Sequence, residues 1–266
     1  MGLTMTYAGS NRQDIVEIIS PLILDQNNDM EVIAVAAIAL GLINIGSKDE
    51  ICLEALMTVL MTRDKTDLNS PYASYIALAL GLLFFGQQDD TQAILMVVSS
   101  IDHPIRKYIE VLVTGCAYAC TGNVLEIQKM LHLVSEHVEP IVGDENQNHY
   151  QTAAVISIGL IAFGEDIGTQ MCQRIINHII QYGEPHIKQA VPLAIALLGI
   201  TGPDNNLMDL LQRLSYDQDS NVAINALFAQ GIIWSGTNNS RLAGNLRSTA
   251  SYYNRDPNQL FMVRIA

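Results

Sequence analysis

Seven glycines, Gly9, Gly46, Gly86, Gly122, Gly164, Gly202 and Gly236, recur at spacings of 37, 40, 36, 42, 38 and 34 residues, each closing an apolar run and opening a polar one. A period of about forty residues belongs to stacked helical hairpins, in which no unit buries its apolar face alone and each relies on its neighbours. The chain is therefore expected to be all-α, a curved α-solenoid of about seven hairpin repeats read as one domain over residues 1–266. Such an array binds rather than catalyses.

The repeat has a readable grammar. Five versions align as LGLINIGSKDEI, LGLLFFGQQDDT, AYACTGNVLEIQ, IGLIAFGEDIGT and QGIIWSGTNNSR, with a small residue (Gly41, Gly81, Ala117, Gly159, Gly231) five positions before the punctuating glycine. That glycine follows the last periodic apolar residue, where a helix end calls for a left-handed backbone. The residues after it, such as Ser47-Lys48-Asp49, Glu165-Asp166 and Asp204-Asn205, are of the types that cap the next helix.

Each unit thus holds two helices of different character. The first, as in Asp14 to Leu24, Glu50 to Met61, Val124 to Val134 and Ile167 to Ile180, has apolar residues at three- and four-residue intervals with charges between them. The second, as in Val32 to Ile45, Tyr75 to Phe85, Val155 to Phe163 and Val191 to Ile200, is dense in Ala, Gly, Leu and Ile with almost no charge. Small residues let backbones approach, so the second set is expected to form the inner layer and the first the outer. Pro21 and Pro192 lie within helical patterns and either occupy first turns or kink their helices. The stretch VEPIVGDENQNHY breaks the rhythm, and residues 138–149 read as a polar loop.

Composition narrows the function classes. With 49% apolar and 15% charged residues, much surface must be hidden between repeats. No apolar run reaches the roughly eighteen residues of a membrane span. The start, MGLTMTYAGSN, lacks the signature of a secretory leader, so an intracellular protein is expected. A formal charge of −13, from 14 basic and 27 acidic residues, excludes a nucleic-acid partner and fits either a basic partner or plain solubility. Cys52, Cys116, Cys120 and Cys172 sit in apolar helices and read as reduced core residues. Neither they nor the scattered histidines stand at metal-ligand spacing, so no metal and no cofactor is expected. Phosphate-binding and nucleophile-elbow motifs are missing, and the acid pairs Asp49-Glu50, Asp89-Asp90 and Glu165-Asp166 fall at helix starts, where capping accounts for them.

The segments YAGSNRQDIVEIISPLI, ALALGLLFFGQQDDTQAIL, GLIAFGEDIGTQM, YGEPHIKQAVPLAIAL, NALFAQGIIWSGTNNSRLAGNLRSTASYY and DPNQLFMVRIA resemble the proteasome/cyclosome repeats of the family of proteasome regulatory-particle non-ATPase subunit one. The family's subunit is much longer, so the chain reads as a piece of it. The resemblance implies a non-enzymatic scaffold in a helical toroid, cytoplasmic and nuclear, beside the proteasomal ATPase subunits. It also implies docking of ubiquitin and of the ubiquitin-like domains of shuttle receptors or a deubiquitinase on three successive outer helices, near residues 11–25, 49–63 and 88–100.

A face for such partners should carry apolar residues flanked by carboxylates. Asp14, Glu17, Glu50, Glu54, Asp89 and Asp90 supply the acids. Where the family's middle helix carries further polar and acidic positions, this chain has Met57 and Met61, which either form an adaptable apolar docking surface or are buried against a neighbour. The alternative function is a purely structural scaffold whose docking surface is weakened or lost.

Overall fold

The structure, a computed structural model, describes residues 2–25, 28–137 and 149–266, apart from the side chains of Leu3, Asp89 and Asp166. Except for His149, the polar loop expected at 138–149 lies outside the described residues. Among those residues all regular structure is helical, and helix pairs pack on sequence-adjacent pairs as in an α-solenoid. The chain divides into two compact units, Met1–Ala119 with His137–Ala153, and Cys120–Glu136 with Ala154–Ala266.

The first unit runs through α1 (Gly2–Thr6), α2 (Gln13–Leu24), α3 (Met30–Ile43), α4 (Glu50–Thr62), α5 (Lys65–Leu68), α6 (Ala73–Leu83), a 3-10 turn (Gln88–Thr91), α7 (Gln92–Val98) and α8 (Ile105–Ala117). The Ala/Gly-rich helices α3 and α6 stack side by side with α8, which carries Arg106, Lys107 and Glu110 in its first half, and Ile33, Leu40, Ile76, Leu80 and Ile109 are fully buried. Each such side chain contributes about 1.5–3 kcal/mol when removed from water. The close stacking has a specific cause. A Cβ at Gly41 would lie 2.8 Å from the Ala79 Cα, and one at Gly81 would lie 3.1 Å from the Cys116 Sγ, so the small residue before each punctuating glycine is where neighbouring helices meet.

Backbone staples join the repeats. The N–H groups of Gly9, Gly46 and Gly86 donate to the carbonyls of Leu42, Leu82 and Cys116 at 2.9, 3.0 and 3.0 Å, each adding a bond to a carbonyl in the last turn of the second helix of the next repeat. These three glycines have φ of 70, 67 and 73°, the left-handed backbone expected. Two positions later the backbone turns left-handed again, at Asn11, Lys48 and Gln88, without a glycine to ease it.

The second unit comprises α9 (Val124–Ser135), the later part of α10 (His149–Ile161), α11 (Asp166–Tyr182), α12 (Pro185–Lys188), α13 (Val191–Gly199), α14 (Asn205–Leu214), α15 (Ser220–Ile233), α16 (Ser240–Tyr252) and α17 (Pro257–Ile265). The same devices recur. A Cβ at Gly159 would lie 3.1 Å from the Ala194 Cα, and the N–H groups of Cys120 and Gly122 donate to Leu160 and Ile161 at 3.0 and 2.9 Å. Tyr253 packs in the core and donates its hydroxyl to the Ser215 carbonyl at 2.7 Å.

Three expectations are corrected and one open alternative is resolved. Gly202 is absent from the left-handed set: α13 already ends at Gly199, and Gly202 precedes Pro203, which favours extended backbone at that position. Cys120 is exposed in the junction after α8 rather than buried in a helix. Capping is uneven: Asp49, Asn123, Asp219 and Asn239 accept a backbone N–H of the following turn, whereas Asp204, Glu165 and the Arg12 that precedes α2 make no such bond. Of the two prolines, Pro192 lies in the first turn of α13 and Pro21 lies inside α2.

Candidate functional site

The three outer elements α2, α4 and the 3-10 turn with α7 start in register because their N-terminal ends are tied together. Gln13 donates its amide to Asp49 Oδ2 at 3.0 Å, while Oδ1 of the same carboxylate caps α4 by accepting from the Ile51 N–H at 3.1 Å. The amide of Gln87 donates to the Gly46 carbonyl at 2.6 Å, and the ammonium of Lys48 pairs with Asp90. At the other end, the Arg63 guanidinium donates to the carbonyls of Asp25 and Asn28, each at 3.2 Å. α2 and α4 thereby pack side by side, and the 3-10 turn that leads into α7 is tied to the turn before α4.

The face they expose carries both acids and apolar residues. Asp14, Glu17, Glu50 and Glu54 are exposed in the early turns of α2 and α4, and Asp90 is exposed just before α7. Exposed apolar residues lie further along the helices, Ile18 at 70% and Leu22 on α2, Met61 at 54% on α4 between the exposed Thr58 and Thr62, and Met96 at 73% with Val97 on α7, while Ile51 is exposed beside Glu50 at the start of α4. Met57 is different. At 7% exposure it belongs to the core with Leu56 and Leu60 and drops out of the candidate face, whereas Met61 stays on it. The side chain of Asp89 lies outside what the structure describes.

The carboxylates are not equivalent. Arg12 holds Asp14 with two hydrogen bonds, Nε to Oδ1 at 3.1 Å and Nη2 to Oδ2 at 2.5 Å, which together hold the Asp14 carboxyl below its usual range. Asp90 is held by Lys48. Glu17, Glu50 and Glu54 have no ion-pair partner among the described residues.

Other sites offer less chemistry. No group of three or more metal-ligating side chains exists among the described residues. Burial pushes the thiols of Cys52, Cys116 and Cys172 up to about 12, 11 and 11, so they remain protonated and inert at neutral pH. A cavity of about 130 Å³ in the first unit is lined by Ser70, His103, Tyr108, His149 and Tyr150 among others, with no carboxylate or lysine. Burial raises Tyr108, which keeps its phenol neutral. No described helix is long and apolar enough to cross a membrane.

The chain is 44% identical over 267 aligned residues to the 26S proteasome regulatory subunit rpn-1 of Neurospora crassa, covering 100% of this chain and 30% of that protein. It is 42% identical over 262 residues to the corresponding subunit of Schizosaccharomyces pombe, covering 98% of this chain and 29% of that one. It is also 42% identical over 265 residues to the 26S proteasome non-ATPase regulatory subunit 2 of Dictyostelium discoideum, covering 100% of this chain and 29% of that one. The chain belongs to this family of 26S proteasome regulatory subunits. It spans about 30% of the length of the relatives it matches. No protein-family model matches the chain.

Within the 26S regulatory-subunit family, the alignments to the Neurospora and Dictyostelium proteins take in the whole of this chain and therefore the three-element face. Sequence reading found the acids of that face but missed its apolar half, Ile18, Leu22, Met96 and Val97. A signal for it existed on α2, where Ile15, Val16, Ile18, Ile19, Leu22, Ile23 and Leu24 are more apolar positions than one buried stripe needs. Ile18 and Leu22 follow Asp14 at four-residue steps, so the surplus lies on the acidic side of the helix.

Proposed function

We propose that this chain is part of a non-catalytic scaffold of the 26S proteasome regulatory particle, cytoplasmic and nuclear, and that it docks ubiquitin and ubiquitin-like domains on the exposed face of α2, α4 and α7. The observation that carries the reading is the combination of unpaired carboxylates at Glu17, Glu50 and Glu54 with exposed Ile18, Leu22, Met61 and Met96 on elements held in register. A small fold whose apolar patch is rimmed by Lys and Arg finds both its requirements there. Proteasomal ATPase subunits, and the shuttle receptors or deubiquitinase that carry ubiquitin-like domains, are the further partners in this reading.

Titration of isotope-labelled ubiquitin, and of a ubiquitin-like domain, with the chain by NMR tests it. Binding in the weak, fast-exchange range is expected. Reversing both Glu50 and Glu54 to Lys should weaken binding on the order of tenfold, since exposed ion pairs contribute up to about 1 kcal/mol each and about 1.4 kcal/mol is tenfold. The absence of shift changes at millimolar protein removes the docking reading. What remains is a purely structural scaffold, a reading favoured by the pairing of Asp14 and Asp90 with the chain's own cations and by the burial of Met57.

A further inference from the structure

We propose that Arg12 and Lys48 are built-in attenuators of the docking face: each occupies one of its carboxylates, so that a basic-rimmed partner meets a weaker field than the number of acids implies. This rests on the docking reading above and specifies how the same face is tuned.

The distribution of cations is the first reason. The chain has 14 Lys and Arg in 266 residues, yet two of them sit directly on this acidic face. Neither is needed to bury its partner, because the Asp14 and Asp90 side chains are 58% and 68% exposed. Surface pairs of this kind add little to folding. Their effect is on the field outside the molecule.

The second reason is the placement of Lys48. Two residues past Gly9, Gly46, Gly86 and Gly236 the chain turns left-handed again, and Asn, the residue type best suited to that conformation after glycine, fills the position at Asn11 and Asn238, with Gln at Gln88. Lys48 fills it with φ of 53°. Gln88 shares that backbone state, so what singles out Lys48 is the charge it carries to a neighbouring repeat. Its ammonium bridges 42 residues to Asp90 on the following repeat. Arg12 is held more elaborately: besides its two bonds to Asp14, its guanidinium lies 5.1 Å from the ring centre of Tyr7.

The third reason is contrast. Glu17, Glu50 and Glu54 have no cation of their own among the described residues, so the pairing is selective rather than a general property of the surface. Of the five exposed carboxylates Asp14, Glu17, Glu50, Glu54 and Asp90, two are offset by Arg12 and Lys48. A charge on the face acts on a docked basic rim where the two come within a Debye length of about 8–10 Å. Removing one cation should therefore tighten a basic partner by roughly twofold to threefold at low salt.

The test uses Arg12→Gln, Lys48→Asn, the double variant and Lys48→Arg, each titrated against labelled ubiquitin by NMR at low and high ionic strength. Lys48→Asn supplies a residue suited to the left-handed backbone, so it is expected to fold, with an unfolding midpoint at or above that of the parent. The double variant should bind about fivefold tighter at low salt, Lys48→Arg should match the parent, and the advantage should shrink at high salt. Equal or weaker binding by folded charge-loss variants, while the parent still binds, overturns the attenuation and leaves docking standing. Binding by the double variant alone supports attenuation strong enough to mask the face in the parent. No binding by either overturns both.

Discussion

Inner-helix stacking depends on a missing side chain at Gly41, and Gly41→Ala measures how much. The added Cβ would lie 2.8 Å from the Ala79 Cα and 3.0 Å from its carbonyl oxygen, about 0.6 Å short of ordinary van der Waals contact at 3.4 Å. Both obstructing atoms are backbone, so no rotamer change relieves the clash and α3 and α6 must part. A gap of about 0.5–1 Å forfeits a quarter to a half of each dispersion contact along a packed surface. Overpacking in a core costs about 1–3 kcal/mol, and a rigid backbone neighbour places this case near the top of that range. Alanine is better than glycine in a helix by about 1 kcal/mol, which offsets part of the cost. The net expectation is a loss of about 2 kcal/mol. Urea unfolding followed by far-ultraviolet circular dichroism should show the midpoint falling by about 1 M, taking a slope of about 2 kcal/mol per molar. Gly244→Ala is the matched control, because Gly244 is exposed inside α16 and a Cβ there meets nothing within 4 Å. It should gain about 1 kcal/mol. If both substitutions stabilise alike, close approach at Gly41 does not hold the stack and the reasoning fails.

Two other outcomes follow from positions where sequence and structure part company. Gly46→Ala should cost about 1–2 kcal/mol, since φ is 67° and the Cβ would meet the Phe85 carbonyl oxygen at 3.0 Å; Gly202→Ala, with ordinary φ and open space, should stay within about 0.5 kcal/mol of the parent in the same unfolding assay. Exposed Cys120 should react with an alkylating reagent at neutral pH, whereas Cys52, Cys116 and Cys172, with thiols raised to about 12, 11 and 11, should react only on unfolding; peptide mass mapping after a brief pulse would read the difference.

The division between chain and fold is clearest around the outer elements. Asp14, Glu17, Glu50 and Glu54 could be placed on helix starts by reading, because a helix start is a local event carried by a few consecutive residues. Their charge state as a face could not. Arg12 lies two residues from Asp14, but Lys48 and Asp90 are 42 apart and Gln13 and Asp49 are 36 apart, in different repeats that meet only when stacked. Met57 and Met61 show the same limit. One helical turn apart and chemically identical, they are separated into core and surface by where the neighbouring helix lies.

The linear chain alone determined the period, the alternation of wet and dry helices, and the glycines that close them, since each depends on spacing and on the steric freedom of single residues. It also marked Gly41, Gly81 and Gly159 as points of approach, though not what they approach. Stacking decided which carboxylates keep a free charge, which apolar residues are left over for a partner, and which cysteine meets water. Those properties belong to pairs of residues brought together from successive repeats, and a one-dimensional pattern fixes a residue's own face without fixing its neighbour across the stack.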